Sequence, residues 1–226
     1  MLKFSTCLRN AVAMSALALF LVSSSFAQEA TMERFDIEAF NHHKSGFTWI
    51  YTLPDGTKIE QRYSPGTGYI VDKTPLHSGL TYRKGFNEQG NLIAVGQLFY
   101  SFPVGISKEY DSEGKLFRER NFDEGFAFSV EDLAAKMLAD YKIDIMNADN
   151  VYRLARGIYS TDPLVSYYLV DCYDHTSPAP DQAVIAFLVN GTTGEVLHIL
   201  HTNTRRPTPV LGAYLERIAN TPKEGQ

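Results

Sequence analysis

The chain has 226 residues, a formal net charge of −5 at pH 7 and two cysteines. This acidic balance disfavours nucleic acid and anionic membrane surfaces as partners, because both require a basic contact face. A basic partner is permitted by the charge but not implied by it.

Residues 1–27 have the pattern of a cleavable secretory signal peptide. Lys3 and Arg9 form a positive n-region, residues 11–22 form an apolar core, and residues 25–27 end in a small residue, Ala27. The apolar run is too short and wrongly flanked for a stable membrane anchor. We therefore expect cleavage after Ala27, a periplasmic or secreted location, and no membrane contact by the mature chain, residues 28–226.

Residues 28–126 are predicted to form an antiparallel β-meander. Residues 28–44 have only a weak apolar pattern and are predicted to form a short helix or an arm. Strands rich in aromatic and β-branched residues are predicted over 47–53, 58–63 and 69–71. Asp55-Gly56 between the first two strands is a strong hairpin signal, since glycine supplies the positive φ that tight turns need.

A short sequence repeat lies at the centre of this meander. Phe86-Asn87-Glu88-Gln89-Gly90-Asn91-Leu92 recurs as Tyr110-Asp111-Ser112-Glu113-Gly114-Lys115-Leu116, with the aromatic residue, the glycine and the leucine in register. Between the copies, Phe99, Tyr100 and Phe102 are predicted to share one strand, which ends in a turn at Pro103-Val104-Gly105. Each unit is predicted to be two short strands with a glycine turn at each end.

Residues 127–220 are predicted to form a second, α+β region. Ser129 to Asp132 resembles a capping box, followed by apolar residues three and four apart that predict a helix from Val130 to Tyr141. Strands are predicted over 151–159, 165–173, 184–189 and 195–202, and a final helix over 210–219 with Thr208 as its N-cap. Residues 221–226 are expected to be a frayed tail. The predicted fold class is therefore α+β: an antiparallel meander of repeated hairpins, a helix, four antiparallel strands and a C-terminal helix.

Two stretches resemble known families. The repeat over about residues 82–123 resembles the MORN-repeat variant proteins, often labelled antitoxin-like. That resemblance implies β-hairpins stacked side by side and a role in protein contact. Residues 189–197, Val-Asn-Gly-Thr-Thr-Gly-Glu-Val-Leu, are similar to PepSY domains, small extracytoplasmic modules associated with inhibiting or chaperoning peptidases.

The best oxygen-rich cluster in the sequence is the loop over residues 171–181, with Asp171, Asp174, His175 and Asp181. It lacks the ligand spacing of a calcium loop, so a solvated acidic loop is favoured over a metal site. The sequence has no Gly-x-Ser-x-Gly elbow, phosphate-binding loop or His-Glu-x-x-His motif. We therefore expect no cofactor and no metal, and a protein that is not an enzyme.

Cys172 is the only cysteine that remains after signal cleavage, which excludes an intramolecular disulfide. Its apolar neighbours predict a buried thiol. An intermolecular disulfide or a reactive thiol is the alternative.

Aromatic side chains are the remaining candidates for function. Core packing is their default role, but Tyr100, Phe102 and Tyr110 are the predicted partner contacts if this region binds a protein. The favoured function is an exported protein-binding module, acting by steric contact as an envelope inhibitor or immunity-type protein toward a toxin or peptidase-like partner. The alternatives are a metal-dependent hydrolase or ligand-binding protein that uses the loop 171–181, and a structural envelope component.

Overall fold

The computed structural model describes residues 33–159, 165–179, 183–205 and 208–220. The predicted signal peptide, its predicted cleavage site and the predicted frayed tail lie outside the described residues. The described residues confirm the predicted α+β class, with a seven-stranded and a four-stranded antiparallel sheet.

The larger sheet is a meander whose strands follow one another in chain order. Its strands are β1 (Thr48–Thr52), β2 (Lys58–Ser64), β3 (Gly68–Thr74), β4 (Leu80–Phe86), β5 (Leu92–Phe99), β6 (Phe102–Tyr110) and β7 (Leu116–Asn121). Helix α1 (Ile37–His43) begins at Asp36, whose carboxylate accepts a hydrogen bond from the Ala39 N–H. Phe40 of α1 is fully buried against Phe35, Tyr69 and Phe86, so α1 covers one end of one sheet face.

The two copies of the repeat form the same turn. In the first copy the Gly90 N–H donates to the Asn87 carbonyl, and in the second the Gly114 N–H donates to the Asp111 carbonyl. The side chains of Asn87 and Asp111 each accept two further main-chain N–H groups. Gly90 and Gly114 have φ of 80° and 81°, a region that favours glycine. The sequence repeat is therefore a repeat of turn geometry.

The prediction for the aromatic run between these copies was wrong. Phe99 ends β5 and Phe102 begins β6, while Tyr100, with φ 53°, lies in the turn between them. Pro103 and Gly105 lie within β6 and do not form a turn. Pro103 is opposite Leu98, and the ladder alternation directs its nitrogen away from β5, so its missing N–H costs no hydrogen bond to that strand.

The second region contains α2 (Val130–Tyr141) and the strands β8 (Val151–Tyr159), β9 (Val165–Tyr173), β10 (Ala183–Asn190) and β11 (Val196–Asn203), ordered β11-β10-β9-β8. The predicted capping box is confirmed: Ser129 and Asp132 exchange hydrogen bonds at the start of α2. The predicted N-cap of helix α3 (Val210–Ala219), Thr208, was wrong. Pro209 is the N-cap, and no side chain hydrogen-bonds to the start of the helix. The Thr208 N–H instead donates to the Thr202 hydroxyl.

Both regions contribute to one hydrophobic core. Phe99 and Val104 of the meander pack in the same cluster as Leu133 and Met137 of α2 and Tyr168 of β9. The Tyr168 hydroxyl also donates a hydrogen bond of 2.7 Å to the carbonyl of Phe128, which lies in the segment that joins the two regions. The change of architecture near residue 126 therefore falls inside a single compact unit that contains all of the described residues.

Candidate binding surface

Two of the three predicted contact residues pack against the shared core. The Tyr100 hydroxyl donates to the Ile145 carbonyl at 2.7 Å, and burial raises the pKa of Tyr100 to about 12. The Phe102 ring packs edge-on against Phe99 at 5.8 Å and lies 5.1 Å from the Arg156 guanidinium. Both rings are partly exposed, so each has a packing role and a smaller surface that a partner could contact.

Tyr110 lies at the other end of β6, opposite Leu116 of β7. The structure therefore does not bring Tyr100, Phe102 and Tyr110 together in one patch. Their role as partner contacts stays a prediction.

The described carboxylates of the acidic loop, Asp171 and Asp174, have separate partners and do not form a common site. Asp171 is almost completely buried and pairs with Arg153 at 2.8 Å, while burial raises the Asp171 pKa. Asp174 instead accepts hydrogen bonds from the hydroxyl and N–H of Thr176, which lower its pKa. Asp181 lies outside the described residues. Within the part of the chain that the structure describes, no group of three or more His, Cys, Asp and Glu side chains could hold a metal ion.

The Cys172 thiol is fully buried in the core, as its apolar neighbours predicted. Burial raises its pKa to about 12, and the neighbouring Asp171 carboxylate acts in the same direction. The thiol is therefore protonated at neutral pH in the folded protein, which makes it a poor nucleophile.

A groove with a volume of about 790 Å³ runs between the last strand of the meander and the first strand of the second sheet. We call it the β7–β8 groove. It is lined by Phe102 and Pro103 of β6, by Glu119, Arg120 and Asn121 of β7, by Phe122, Glu124, Gly125 and Phe126 after β7, and by Arg156, Gly157 and Ile158 of β8. Its size lies in the range of known ligand sites, about 300–1,000 Å³.

The floor of this groove is held by Arg156, whose side chain is 7% exposed. Its guanidinium pairs with Asp123 at 2.8 Å and donates to the main-chain carbonyls of Phe122, at 2.7 Å, and Pro103. It also stacks on the Phe126 ring at 4.5 Å. A buried charge that is paired and hydrogen-bonded in this way fixes the groove floor and leaves no net charge in it.

One wall of the groove is the outer edge of the seven-stranded sheet. The Phe122 N–H donates to the Gly105 carbonyl at 2.9 Å, so alternate residues of β7 face β6. Glu119 and Asn121 lie between the residues that face β6, so their main-chain N–H and C=O groups point away from β6. Among the described residues, β7 has no second strand beside it.

The opposite wall is the outer edge of the four-stranded sheet. The Gly191 N–H donates to the Ser166 carbonyl, so Ser166 and every second residue of β9 direct their main-chain groups toward β10. The residues between them face β8, and the β8–β9 pairing then fixes which residues of β8 face β9. Arg156 and Ile158 therefore direct their main-chain groups away from β9, and no described strand pairs with β8 on that side. Ile158 is 53% exposed. Two strand edges that pair with no other described strand, and an exposed apolar residue, thus border one groove.

Sequence reasoning identified Phe102 but missed the rest of this groove. Arg156 gave the one available signal, as one of two arginines, with Arg153, in an otherwise apolar predicted strand, where burial of a charge requires a partner. The two strand edges had no sequence signal, because tertiary pairing decides which strands lie at the edge of a sheet.

Comparison with protein-family models, with curated proteins and with solved structures finds no match to this chain. No helix among the described residues has the length and apolar character needed to cross a membrane. The geometry of the chain itself must therefore carry any functional proposal.

Proposed function

We propose that this chain is an exported protein-binding module that captures an extended segment of a partner protein in the β7–β8 groove. The observation that carries the proposal is that β7 and β8, two strand edges with no further strand beside them among the described residues, border a single groove. An extended polypeptide can add to such an edge as a new strand.

The chemistry of the groove favours a polypeptide. Main-chain N–H and C=O groups at Glu119, Asn121, Arg156 and Ile158 match those of an extended chain, which supplies donors and acceptors along both of its sides. Partly exposed Phe102 and exposed Ile158 offer apolar contact for alternate side chains of that segment. The charged side chains of Glu119, Arg120 and Glu124 lie at the groove and can select among partners.

In this proposal the module acts by steric contact, as an envelope inhibitor or immunity-type protein whose partner is toxin-like or peptidase-like. A bound segment occupies the groove and holds the partner's surface against the meander. The resemblance of the hairpin repeat to MORN-repeat variants, which implies protein contact, supports the same reading. No observation favours the hydrolase alternative or the purely structural alternative over it.

A proline at position 119 tests strand addition directly. In Glu119→Pro the lost N–H is one that β6 does not use, and proline is tolerated on edge strands, so folding should be retained. We expect the variant to lose at least tenfold in affinity for a partner that the wild type captures from envelope and secreted fractions. The measurement is capture followed by mass spectrometry, with affinity then determined by titration of the purified partner.

Ile50→Pro is the matched control on the opposite edge of the same sheet. The Tyr63 N–H donates to the Phe47 carbonyl, so the Ile50 N–H also points away from its neighbouring strand. This variant should bind the partner like the wild type. Equal binding by the wild type and both proline variants would overturn the proposal, provided that all three unfold at similar temperatures.

A further inference from the structure

One face of the seven-stranded sheet has no helix or strand packed on it among the described residues. The ladder places Ile70, Gly85 and Ala94 in one row on this face, and Asp72, Arg83 and Gly96 in the next row. Helix α1 and the shared core lie against the other face, through residues such as Tyr69, Phe86 and Phe99. An antiparallel sheet with one solvated face normally carries polar side chains there.

Half of the uncovered face follows that rule. Asp72 accepts hydrogen bonds from Arg62 at 2.6 Å and from Arg83 at 2.7 Å, and Glu60 pairs with Lys58 and Arg62. In this cluster the cationic side chains outnumber the carboxylates, although the whole chain is acidic. The cluster therefore leaves an excess of positive charge at one end of the uncovered face.

The other half of the face departs from the rule. It holds an apolar trough of about 350 Å³, whose floor is made of small residues on three adjacent strands, namely Gly85, Ala94, Gly96 and Ser107. Ile70, Leu98, Pro103 and Phe122 are among the larger residues that line it. The trough exists because the floor residues have little or no side chain to fill it.

The trough and the charged cluster are contiguous. Arg83 belongs to the cluster, also lines the trough, and lies directly opposite Gly96 in the β4–β5 ladder. Its Nε and Nη2 atoms bond to Asp72, which fixes the direction of the guanidinium. An apolar channel with a cluster of net positive charge at one end is complementary to an amphiphile with an anionic head.

We propose that this trough binds a long-chain fatty acid, with the alkyl chain over Ala94 and Gly96 and the carboxylate toward Arg83 and its cluster. This ligand site goes beyond the proposed partner groove. The strands of the floor are interior to the sheet, so their main-chain groups are already used in ladders. A peptide bound there would lose its main-chain hydrogen bonds to water without gaining any to the protein. An alkyl chain makes no hydrogen bonds to water, so its burial has no such cost.

The test is a fluorescence titration of the purified protein with the fatty acid cis-parinaric acid, followed by displacement. We expect saturable binding that palmitate displaces at least tenfold more effectively than hexadecanol, which has the same chain length and no charge. Arg83→Gln should reduce that preference for the acid over the alcohol. Displacement that is equal for acid, alcohol and hexadecyltrimethylammonium would contradict the role of Arg83.

Ala94→Trp fills the trough and should weaken probe binding at least tenfold. Thr48→Trp, on the same face but on edge strand β1, is the control and should leave it unchanged. If Ala94→Trp fails to fold, Ile70→Glu places a carboxylate in the trough and should have the same effect. Absence of saturable binding by the wild type, or unchanged binding by a folded trough variant, overturns the proposal.

The variant Glu119→Pro separates this site from the partner groove, because Glu119 does not line the trough. It should bind the fatty acid like the wild type even where partner binding is lost. A tenfold loss of fatty-acid binding in this folded variant would place the ligand in the β7–β8 groove and contradict the trough.

Discussion

Replacing Arg156 with alanine should lower the free energy of unfolding by about 3 kcal/mol, because it removes a buried guanidinium that pairs with the half-exposed Asp123 carboxylate and donates to two main-chain carbonyls. The change leaves Asp123 without its guanidinium and leaves the carbonyls of Phe122 and Pro103 without their donor. It also opens a space between the rings of Phe102 and Phe126, which now enclose the guanidinium. Arg156 thus stabilises the contact between the meander and the second sheet as well as the groove floor.

Urea unfolding followed by circular dichroism measures this effect. Arg118→Ala is the matched control, since Arg118 pairs with Glu109 at 3.9 Å while both side chains are exposed. Exposed pairs contribute about 1 kcal/mol or less, so the control should unfold nearly like the wild type. A similar small loss for both variants would mean that Arg156 does not join the two sheets.

Gly68→Ala should destabilise the fold by about 3 kcal/mol or more, through backbone strain and overpacking together. Gly68 has φ 111°, a region that residues with a Cβ rarely adopt. An added Cβ would lie 2.1 Å from the Phe86 carbonyl oxygen and 2.7 Å from the Asn87 carbonyl carbon. These are main-chain atoms at the start of the first repeat turn, so they cannot move without disturbing the β3–β4 pairing.

Gly66→Ala separates strain from crowding. Gly66 also has a positive φ, 79°, but an added Cβ there would meet no atom within 4 Å. This variant should therefore cost only about 1 kcal/mol, the penalty for the left-handed conformation alone. Thermal unfolding of both variants provides the comparison, and equal melting temperatures would show that the close approach at Gly68 is relieved in solution.

The regular elements of this fold were predictable because their signals are local. Alternating aromatic and β-branched residues predicted the strands, and the apolar spacing after Ser129 predicted α2 and its cap. The turn at Tyr100 was not predictable, since an aromatic residue at positive φ is uncommon and Pro103 and Gly105 gave a misleading turn signal. Its conformation is held by tertiary contacts, including the bond from the Tyr100 hydroxyl to Ile145.

The candidate sites were less predictable than the fold. The β7–β8 groove brings Asn121 and Ile158 together. It exists only because β7 and β8 are edge strands of two separate sheets. The apolar trough depends on the register that sets Gly85 beside Ala94, and Arg83 beside Gly96. A one-residue shift in pairing would move those residues to the other face. Local sequence patterns do not contain that register.

Amide hydrogen exchange of the protein with and without its captured partner is the most direct test of the proposed function. Strand addition in the β7–β8 groove predicts that the partner slows exchange at least tenfold at the outward-facing amides of β7 and β8, those of Glu119, Asn121, Arg156 and Ile158. The amides of Ile50 and Thr52, on the opposite edge of the meander, should exchange at the same rate in both states. Protection confined to β1 or to the loop after β9, with no change in β7 and β8, would contradict the account.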